Sequence, residues 1–479
     1  MEKVDDRKNG FRKVIHILKQ VLVLYLIYLL VFGVCIYYLY PSTPKEYRDG
    51  ISTQQFRSDM VAEERAVLID GRFESYLARI NMIESAKESI DLACYTIQDG
   101  WTSRTILGAL IEAADRGVKV RILFDGMFNQ TKDELQDVIY LCNTHENMEW
   151  KYYEMIAPLK PWTINNRLHD KFILVDGKQF ILGGRNMGNK YYAENHPEEH
   201  QVRDRDVIIL GQKNSKPVGD LEEYYESLWT SKAAEWPVEK VTEEQKLKGE
   251  DKRKQLLNEF HKKESKGLFK GMEQYQRRSV PVNKVSIVSN PQGHVNKYPL
   301  IFETLASFAG ESSDIRVQSP YVVPSYKMRH YAKKHNIDYS KVKLYTNSEY
   351  SSPNPMGMAG YLIDRNRIVK KGVNILEYQK PGSIHGKSFI FDGRISAVGS
   401  FNLECRSSFL STETVVIIDS LDFAEELQSA FDDIESKSFE VEKNGEYKED
   451  QRKVNPVPIR KNIVLRVLSV LSYPVRILI

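Results

Sequence analysis

Residues Arg167–Asn186 read RLHDKFILVDGKQFILGGRN, and Ser383–Asn402 read SIHGKSFIFDGRISAVGSFN. His169, Lys171, Asp176, Gly183, Gly184 and Asn186 recur as His385, Lys387, Asp392, Gly399, Ser400 and Asn402, all at one offset in the numbering. Self-similarity at fixed spacing marks a duplicated unit, and these matches include chemically capable side chains.

The surroundings repeat as well. Before the first copy, a helical pattern over Tyr76 to Lys87 leads to a strand-like run, Ser89 to Tyr95. A second pattern, Ile106 to Arg116, leads to Val118 to Phe124. Before the second copy, Leu300 to Ala309 leads to Asp314 to Gln318, and Lys327 to His335 leads to Val342 to Tyr345. Strands alternating with helices predict α/β units around a largely parallel sheet. Between the copies, Ser231 to Arg278 is rich in Lys and Glu and poor in apolar residues, which reads as a solvated helical excursion.

Composition removes other classes. The chain has 479 residues, 42% hydrophobic and 28% charged, with ordinary Gly (27) and Pro (18), so it is neither disordered nor collagenous. Its mean hydropathy of −0.44 excludes a polytopic membrane protein. A net charge of +3, from 68 basic and 65 acidic residues, gives no basic field for nucleic acid. Cys35, Cys94, Cys142 and Cys405 are scattered and form no CxxC pair, which argues against a disulfide framework or a structural zinc site.

Val21 to Tyr40 is free of charge and proline and long enough to span a bilayer. Tyr37, Tyr38 and Tyr40 crowd its end, where aromatic rings favour the headgroup level. The run is long for a signal peptide, and Pro41-Ser42-Thr43-Pro44 is a poor cleavage site, so a retained anchor is expected. Lys3, Arg7, Lys8, Arg12, Lys13 and Lys19 precede it, against Lys45, Arg48 and Arg57 after it. That asymmetry predicts a cytoplasmic N-terminus and an outward catalytic part. From Arg452 to Ile479, basic residues punctuate apolar ones with no acid, the pattern of an interfacial amphipathic segment; a terminal helix docked on the domain is the rival reading.

Alternate strand residues share a face, so His169 projects with Lys171 and His385 with Lys387. Asp176-Gly177 and Asp392-Gly393 read as turns, and Asn186 and Asn402 end the returning strands. If the halves face each other, two imidazoles, two ammonium groups and two amides converge. That set suits a phosphate ester: one His attacks phosphorus, the other serves as acid and base, and Lys and Asn hold the oxygens. A nucleophilic His needs an orienting carboxylate. Asp204 and Glu413 each open a strand-like run after a motif, with Asp206 on the same face as Asp204. Asp176 and Asp392 are further candidates, weighed against a turn role. A metal site built on the His residues is disfavoured, because an ammonium two residues on repels a divalent cation.

The doubled pattern H-x-K-x4-D-x6-G-[GS]-x-N resembles the two-motif phospholipase D superfamily, and within it the bacterial cardiolipin synthases. SIDLACYTIQDG, AADRGVKVRILFDG, GGRNMGNKYY, SPYVVPS, GYLIDRNRIVKKGVNILEYQKPG and GSFNLECRSSFLSTE carry the likeness from about Leu68 onward. It implies duplicated α/β/α halves with pseudo-twofold symmetry and no metal or other cofactor. It makes His169 the nucleophile, His385 the acid/base, Lys171, Lys387, Asn186 and Asn402 the phosphate ligands, and Asp204 and Glu413 the supports of the imidazoles. Ser400 offers phosphate a hydroxyl that Gly184 cannot. The usual anchor region is a pair of spans, whereas one is visible here.

The expected organisation is a membrane anchor at 1–45 (span about 21–40), a first half at 60–230, the charged excursion at 231–280, a second half at 281–440 and the basic tail at 452–479. The expected activity is phosphatidyl transfer to phosphatidylglycerol through a phosphohistidine. The alternatives are a phospholipase D using water, a tethered nuclease, and an inactive lipid-binding protein. Phospholipids and a bacterial cell membrane are the expected partners; the sequence leaves the oligomeric state open.

Overall fold

The computed structural model describes residues 2–47, 50–129, 135–295, 297–448, 450 and 454–479. Arg48, Arg452 and Lys453, used in the charge readings above, lie outside these. Helix α1 (Glu2–Gly33) supplies most of an apolar stretch, Phe11–Tyr38, that holds an 18-residue window of mean hydropathy 2.5 and is long and apolar enough to cross a membrane. The α-helix itself stops at Gly33, and a 3-10 turn over Cys35–Tyr38 carries the apolar run on. Tyr37 is buried, and the Lys327 ammonium bonds the carbonyls of Tyr37 and Leu39. The end of the apolar run is thus docked on the second half.

The first half runs β1 (Arg65–Ile69), α2 (Arg72–Ser85), β2 (Ser89–Cys94), α3 (Trp101–Asp115), β3 (Lys119–Asp125), α4 (Gln136–Cys142) and β4 (Met148–Tyr153). It continues with β5 (Lys171–Val175), β6 (Gln179–Gly183), the short α5 (Asn189–Tyr192), β7 (Val202–Arg203), β8 (Asp206–Leu210), α6 (Lys216–Trp229) and β9 (Ala234–Glu235). Then come α7 (Glu243–Glu264), α8 (Glu273–Arg278) and β10 (Val280–Pro281). The sheet order is β10-β1-β8-β6-β5-β2-β3-β4-β9.

The second half runs β11 (Lys284–Ser289), α9 (Leu300–Glu311), β12 (Ile315–Gln318), β13 (Val322–Val323), α10 (Tyr326–Ala332), β14 (Val342–Asn347), α11 (Pro355–Lys370) and β15 (Asn374–Tyr378). It continues with β16 (Ser383–Ile384), β17 (Ser388–Phe391), β18 (Ile395–Gly399), β19 (Leu403–Glu404), α12 (Cys405–Phe409), β20 (Thr414–Asp419), α13 (Leu421–Glu435), β21 (Ser438–Val441) and α14 (Ile459–Ser472). Its sheet, β11-β20-β18-β17-β12-β14-β15-β21, repeats the first strand for strand, apart from β10 at the edge of the first. The duplication read from the motifs is therefore a duplication of topology. One expectation fails: only β2-β3-β4 and β12-β14-β15 run parallel, and the remaining pairs of both sheets are antiparallel. Three-residue turns, Asp176–Lys178 and Asp392–Arg394, return each motif strand beside itself, which forces antiparallel neighbours.

Buried apolar residues form three clusters. One lies between the first sheet and its outer helices, one between the second sheet and its own, and the third joins both inner sheet faces through α6 and α13. The layers are thus helix, sheet, shared helices, sheet, helix. The charged excursion is helical but not wholly solvated. Leu256 and Phe260 of α7 are fully buried on α3, where a Cβ at Gly108 would stand 2.6 Å from the Leu256 carbonyl. Two apolar residues one turn apart suffice to seat a helix that is charged elsewhere.

Both readings of the tail meet in α14. Leu465 is buried beside α11, and the Lys461 ammonium bonds the carbonyls of Tyr350 and Ser352, both at 2.8 Å. Ile459, Ile463, Val467, Val470 and Leu471 stay exposed along the opposite stripe.

Candidate active site

The motif strands bring their leading residues to one cleft. His169 and His385 sit just before β5 and β17, not within them, and the Lys171 and Lys387 side chains fold back to bond the carbonyls of His169 and His385. The backbone N–H of His169 bonds the Thr412 carbonyl at 3.2 Å, and that of His385 bonds the Arg203 carbonyl at 2.6 Å. Each imidazole is therefore held by main chain of the opposite half. The next residue in each holding strand supplies the carboxylate. His169 Nδ1 lies 2.8 Å from Glu413 Oε1, and His385 Nδ1 lies 2.6 Å from Asp204 Oδ2. The pairing is crossed between the halves. With Nδ1 committed, Nε2 is left in each ring for chemistry.

The two carboxylates differ. Burial pushes Glu413 up to about 8, against the pull of Lys171 and of the Ser400 and Ser407 hydroxyls. Burial also opposes ionisation of Asp204, but Lys387 and His385 outweigh it and hold Asp204 below its ordinary value. Lys387 Nζ lies 3.8 Å from Asp204 Oδ2 and 2.6 Å from His385 Nδ1. Because an ionised carboxylate is the better acceptor, Nδ1 of His385 keeps its proton and donates it in a hydrogen bond to Asp204.

Burial, then Lys171 and Lys387, hold His169 well below the usual imidazole value. Burial and Lys387 push His385 down to about 3, and burial takes Lys387 itself down to about 7. Each imidazole feels both ammonium groups, so the two motifs form one site. Tyr95 meets His169 edge-on at 5.0 Å, and Tyr191 and Tyr321 meet His385 at 6.0 and 6.4 Å. A cavity of about 620 Å³ opens beside His385 between Tyr191, Tyr321, Gln201 and Asn354.

The remaining expected residues divide. Asn186 and Asn402 are buried near the imidazoles, with amide nitrogens on Tyr191 (3.0 Å) and Glu404 (2.9 Å) and both Oδ1 atoms without a partner. Ser400 is corrected: its hydroxyl donates to Glu413 and accepts from the Thr414 N–H, so it orients a carboxylate and is not turned to phosphate. Gly184 serves the same contact by absence, since a Cβ there would stand 2.4 Å from Asp204 Oδ1.

Asp176 and Asp392 are corrected too. They lie at the far ends of β5 and β17 with φ of 54° and 50°. The Asp176 carboxylate accepts from the amides of Lys87, Glu88 and Ser89; that of Asp392 accepts from Ser313 and Asp314. They tie turns to neighbouring strands and take no part in the cleft. Asp206 is likewise engaged elsewhere, between Arg79 (3.0 Å) and Arg185 (2.7 Å).

Several site residues carried no sequence signal as single positions. Tyr95, Tyr191 and Tyr321 are ordinary aromatics until the fold brings them together, although SPYVVPS and GGRNMGNKYY contain two of them. Asp170 was visible only as the HDK against HGK difference. It is buried, accepts from Thr412, Thr414 and Tyr224, and is pushed upward by that burial. Among the described residues, no three His, Cys, Asp or Glu side chains converge as metal ligands.

Comparison with known proteins agrees with this geometry. The family model described as cardiolipin synthase, phospholipase D-like domain matches residues 79–229 and 307–434, one segment in each half. A Helicobacter pylori protein (strain ATCC 700392 / 26695) is 27% identical over 420 residues, covering 78% of this chain and 80% of its own. Cardiolipin synthase C of Escherichia coli K12 is 26% identical over 403 residues, covering 76% of this chain and 83% of its own. The crystal structure of phosphatidylserine synthase from Haemophilus influenzae Rd KW20 superposes with a TM-score of 0.62 at 14% identity, covering 89% of this chain and 99% of its own, a likeness of fold.

Proposed function

Because this chain belongs to the cardiolipin synthase, phospholipase D-like domain family and is an enzyme of that type, we propose that it is a membrane-anchored phosphatidyltransferase forming cardiolipin from phosphatidylglycerol. The observation that carries this reading is the crossed pair of carboxylate-bound imidazoles between two buried ammonium groups.

His169 Nε2 attacks the phosphorus of one phosphatidylglycerol, forming a P–N bond as the bond to the glycerol oxygen breaks. His385 gives its Nε2 proton to the departing alkoxide, releasing glycerol. The glycerol hydroxyl of a second phosphatidylglycerol then loses its proton to His385 and attacks the phosphohistidine, regenerating neutral His169. Lys171 and Lys387 offset the charge growing on the phosphoryl oxygens, and the Asn186 and Asn402 amides add hydrogen bonds there. The bound phosphodiester anion in turn favours the imidazolium that His385 must form.

The unlike carboxylates support this division of labour. Asp204, held ionised, stabilises an imidazolium on His385. Glu413, pushed toward the neutral form, leaves His169 the uncharged nucleophile. The apolar Phe11–Tyr38 stretch and the exposed stripe of α14 support attachment to a bilayer, with basic residues suited to anionic headgroups. The excess of basic residues before α1's apolar run supports a cytoplasmic N-terminus and an outward site.

Purified protein given phosphatidylglycerol as its one phospholipid tests the reading. Cardiolipin and glycerol are expected in equal amounts. Phosphatidic acid with glycerol, and no cardiolipin, would make the enzyme a hydrolase in which water takes the acceptor's place.

A further inference from the structure

The segment between β4 and β5 leads directly to His169, and its surface is out of keeping with water. Ile156, Leu159 and Ile164 are exposed within nine residues, Leu159 to 75%. Three large aliphatic side chains on one short connection form a patch that needs a partner.

Several of its backbone polar groups are met from within the segment or by α1. Pro158 and Pro161 have no N–H to satisfy. The carbonyls of Pro158 and Leu159 accept from the hydroxyls of Tyr25 and Tyr28 on α1, at 2.8 and 2.7 Å. Lys160 N–H donates to the Ala157 carbonyl (2.8 Å), Thr163 N–H to that of Lys160 (2.9 Å), and Ala157 N–H to the Thr163 hydroxyl (3.2 Å). In return, the Asn165 amide bonds the carbonyl of Gly33, the last residue of α1, at 2.7 Å. Internal satisfaction of this kind is what non-helical chain needs where water is scarce.

The neighbour identifies the medium. Tyr25 and Tyr28 lie inside the apolar stretch Phe11–Tyr38. Tyr28 precedes Gly33, where α1 ends, by about 7.5 Å of helix. Chain bonded to Tyr28 is therefore carried below the level at which α1 ends. Resting on the membrane-anchored reading above, we propose that Met155–Ile164 is a wedge that enters the acyl-chain boundary of the bilayer beside α1. Lys160 at its tip reaches back toward anionic headgroups.

The wedge is stiffly joined to the chemistry. The Arg167 guanidinium bonds the Thr163 carbonyl at 2.5 Å and Asp125 at 3.1 Å, two residues before His169. Its depth fixes the height of His169 over the lipid phosphates, so the donor's phosphorus meets the nucleophile while its acyl chains remain in the membrane.

Full-length protein with Cys35→Ser and Leu159→Cys, carrying an environment-sensitive fluorophore, tests this in phosphatidylglycerol and phosphatidylethanolamine vesicles containing nitroxide-labelled lipid. Quenching at least about twice that of a probe at Lys254→Cys on α7 is expected. Equal quenching at the two positions overturns the proposal, and disulfide formation between Leu159→Cys chains without quenching assigns the patch to a second copy. Leu159→Asp is expected to lower transfer about tenfold more on vesicles than on detergent-dispersed short-chain phosphatidylglycerol. Equal losses count against the wedge. Quenching in a protein that transfers nothing in either medium upholds the wedge and overturns the functional reading alone.

Discussion

His169 and Glu413 lie 244 residues apart and meet through a 2.8 Å hydrogen bond that crosses from one half to the other. Its counterpart joins His385 to Asp204, so neither half contains a complete histidine–carboxylate pair. Replacing either carboxylate by its amide keeps the shape and removes the preference for a proton on Nδ1. Asp204→Asn and Glu413→Gln are each expected to lower kcat by at least about a hundredfold with the fold intact. Asp204→Asn should be the more damaging, since Asp204 is the carboxylate held ionised. Steady-state kinetics beside far-ultraviolet circular dichroism checks both; near-normal turnover in either would refute the crossed pairs as catalytic.

His169→Ala and His385→Ala are each expected to abolish turnover, because the proposed nucleophile and acid/base would act in succession on one phosphorus. With phosphorus-labelled phosphatidylglycerol, the wild type should carry acid-labile label on a histidine and His169→Ala should carry none. Label retained in His169→Ala would transfer the nucleophile's part to His385.

Asp176→Ala and Asp392→Ala should behave differently. Each loses amide bonds at a turn and places alanine at positive φ, so a loss of about 1–3 kcal/mol in stability is expected with kcat nearly unchanged. Thermal melts and kinetics separate the two. A collapse of kcat without a fall in Tm would return these residues to the chemistry.

The pH profile follows from Lys387, which burial lowers to about 7. The charged ammonium is the form that binds phosphate, so kcat/KM should fall as pH rises through about 7. An anionic substrate favours the ammonium and moves this limb of kcat to higher pH. A kcat/KM that is flat to pH 9 would show that turnover does not need this charge.

Orientation has its own readout. In intact cells producing Cys35→Ser, Lys254→Cys protein, an impermeant thiol reagent is expected to label α7. Labelling only after permeabilisation would place the catalytic halves in the cytoplasm and leave the phosphoryl chemistry untouched.

Much of this molecule was legible in the repeat itself. The motif residues are spaced by a hairpin, and a hairpin is local, so His169, Lys171, Asn186 and their partners could be read without a fold. Strand and helix positions around them followed from periodicity to within a few residues. The crossed pairing was not legible, since Asp204 and Glu413 follow their own motifs in sequence and only packing of the halves exchanges them. The part of Ser400 was hidden for the same reason. Its hydroxyl could face phosphate or Glu413, and the choice depends on a side chain brought up by the neighbouring strand β20. The seating of α7 rests on Gly108, which reads as an ordinary helical glycine until another helix is laid across it.

The short parallel pairing of β7 with β16 and the single bridge between Leu168 and Thr412 have a mechanical consequence. Each stitches one half to the other immediately beside an imidazole of the proposed site. A clamshell motion that parted the halves would break both stitches and both carboxylate pairs together. Opening along the twofold seam would therefore dismantle the site itself. The cavity beside His385, walled by Tyr191 and Tyr321, gives access that leaves the seam shut.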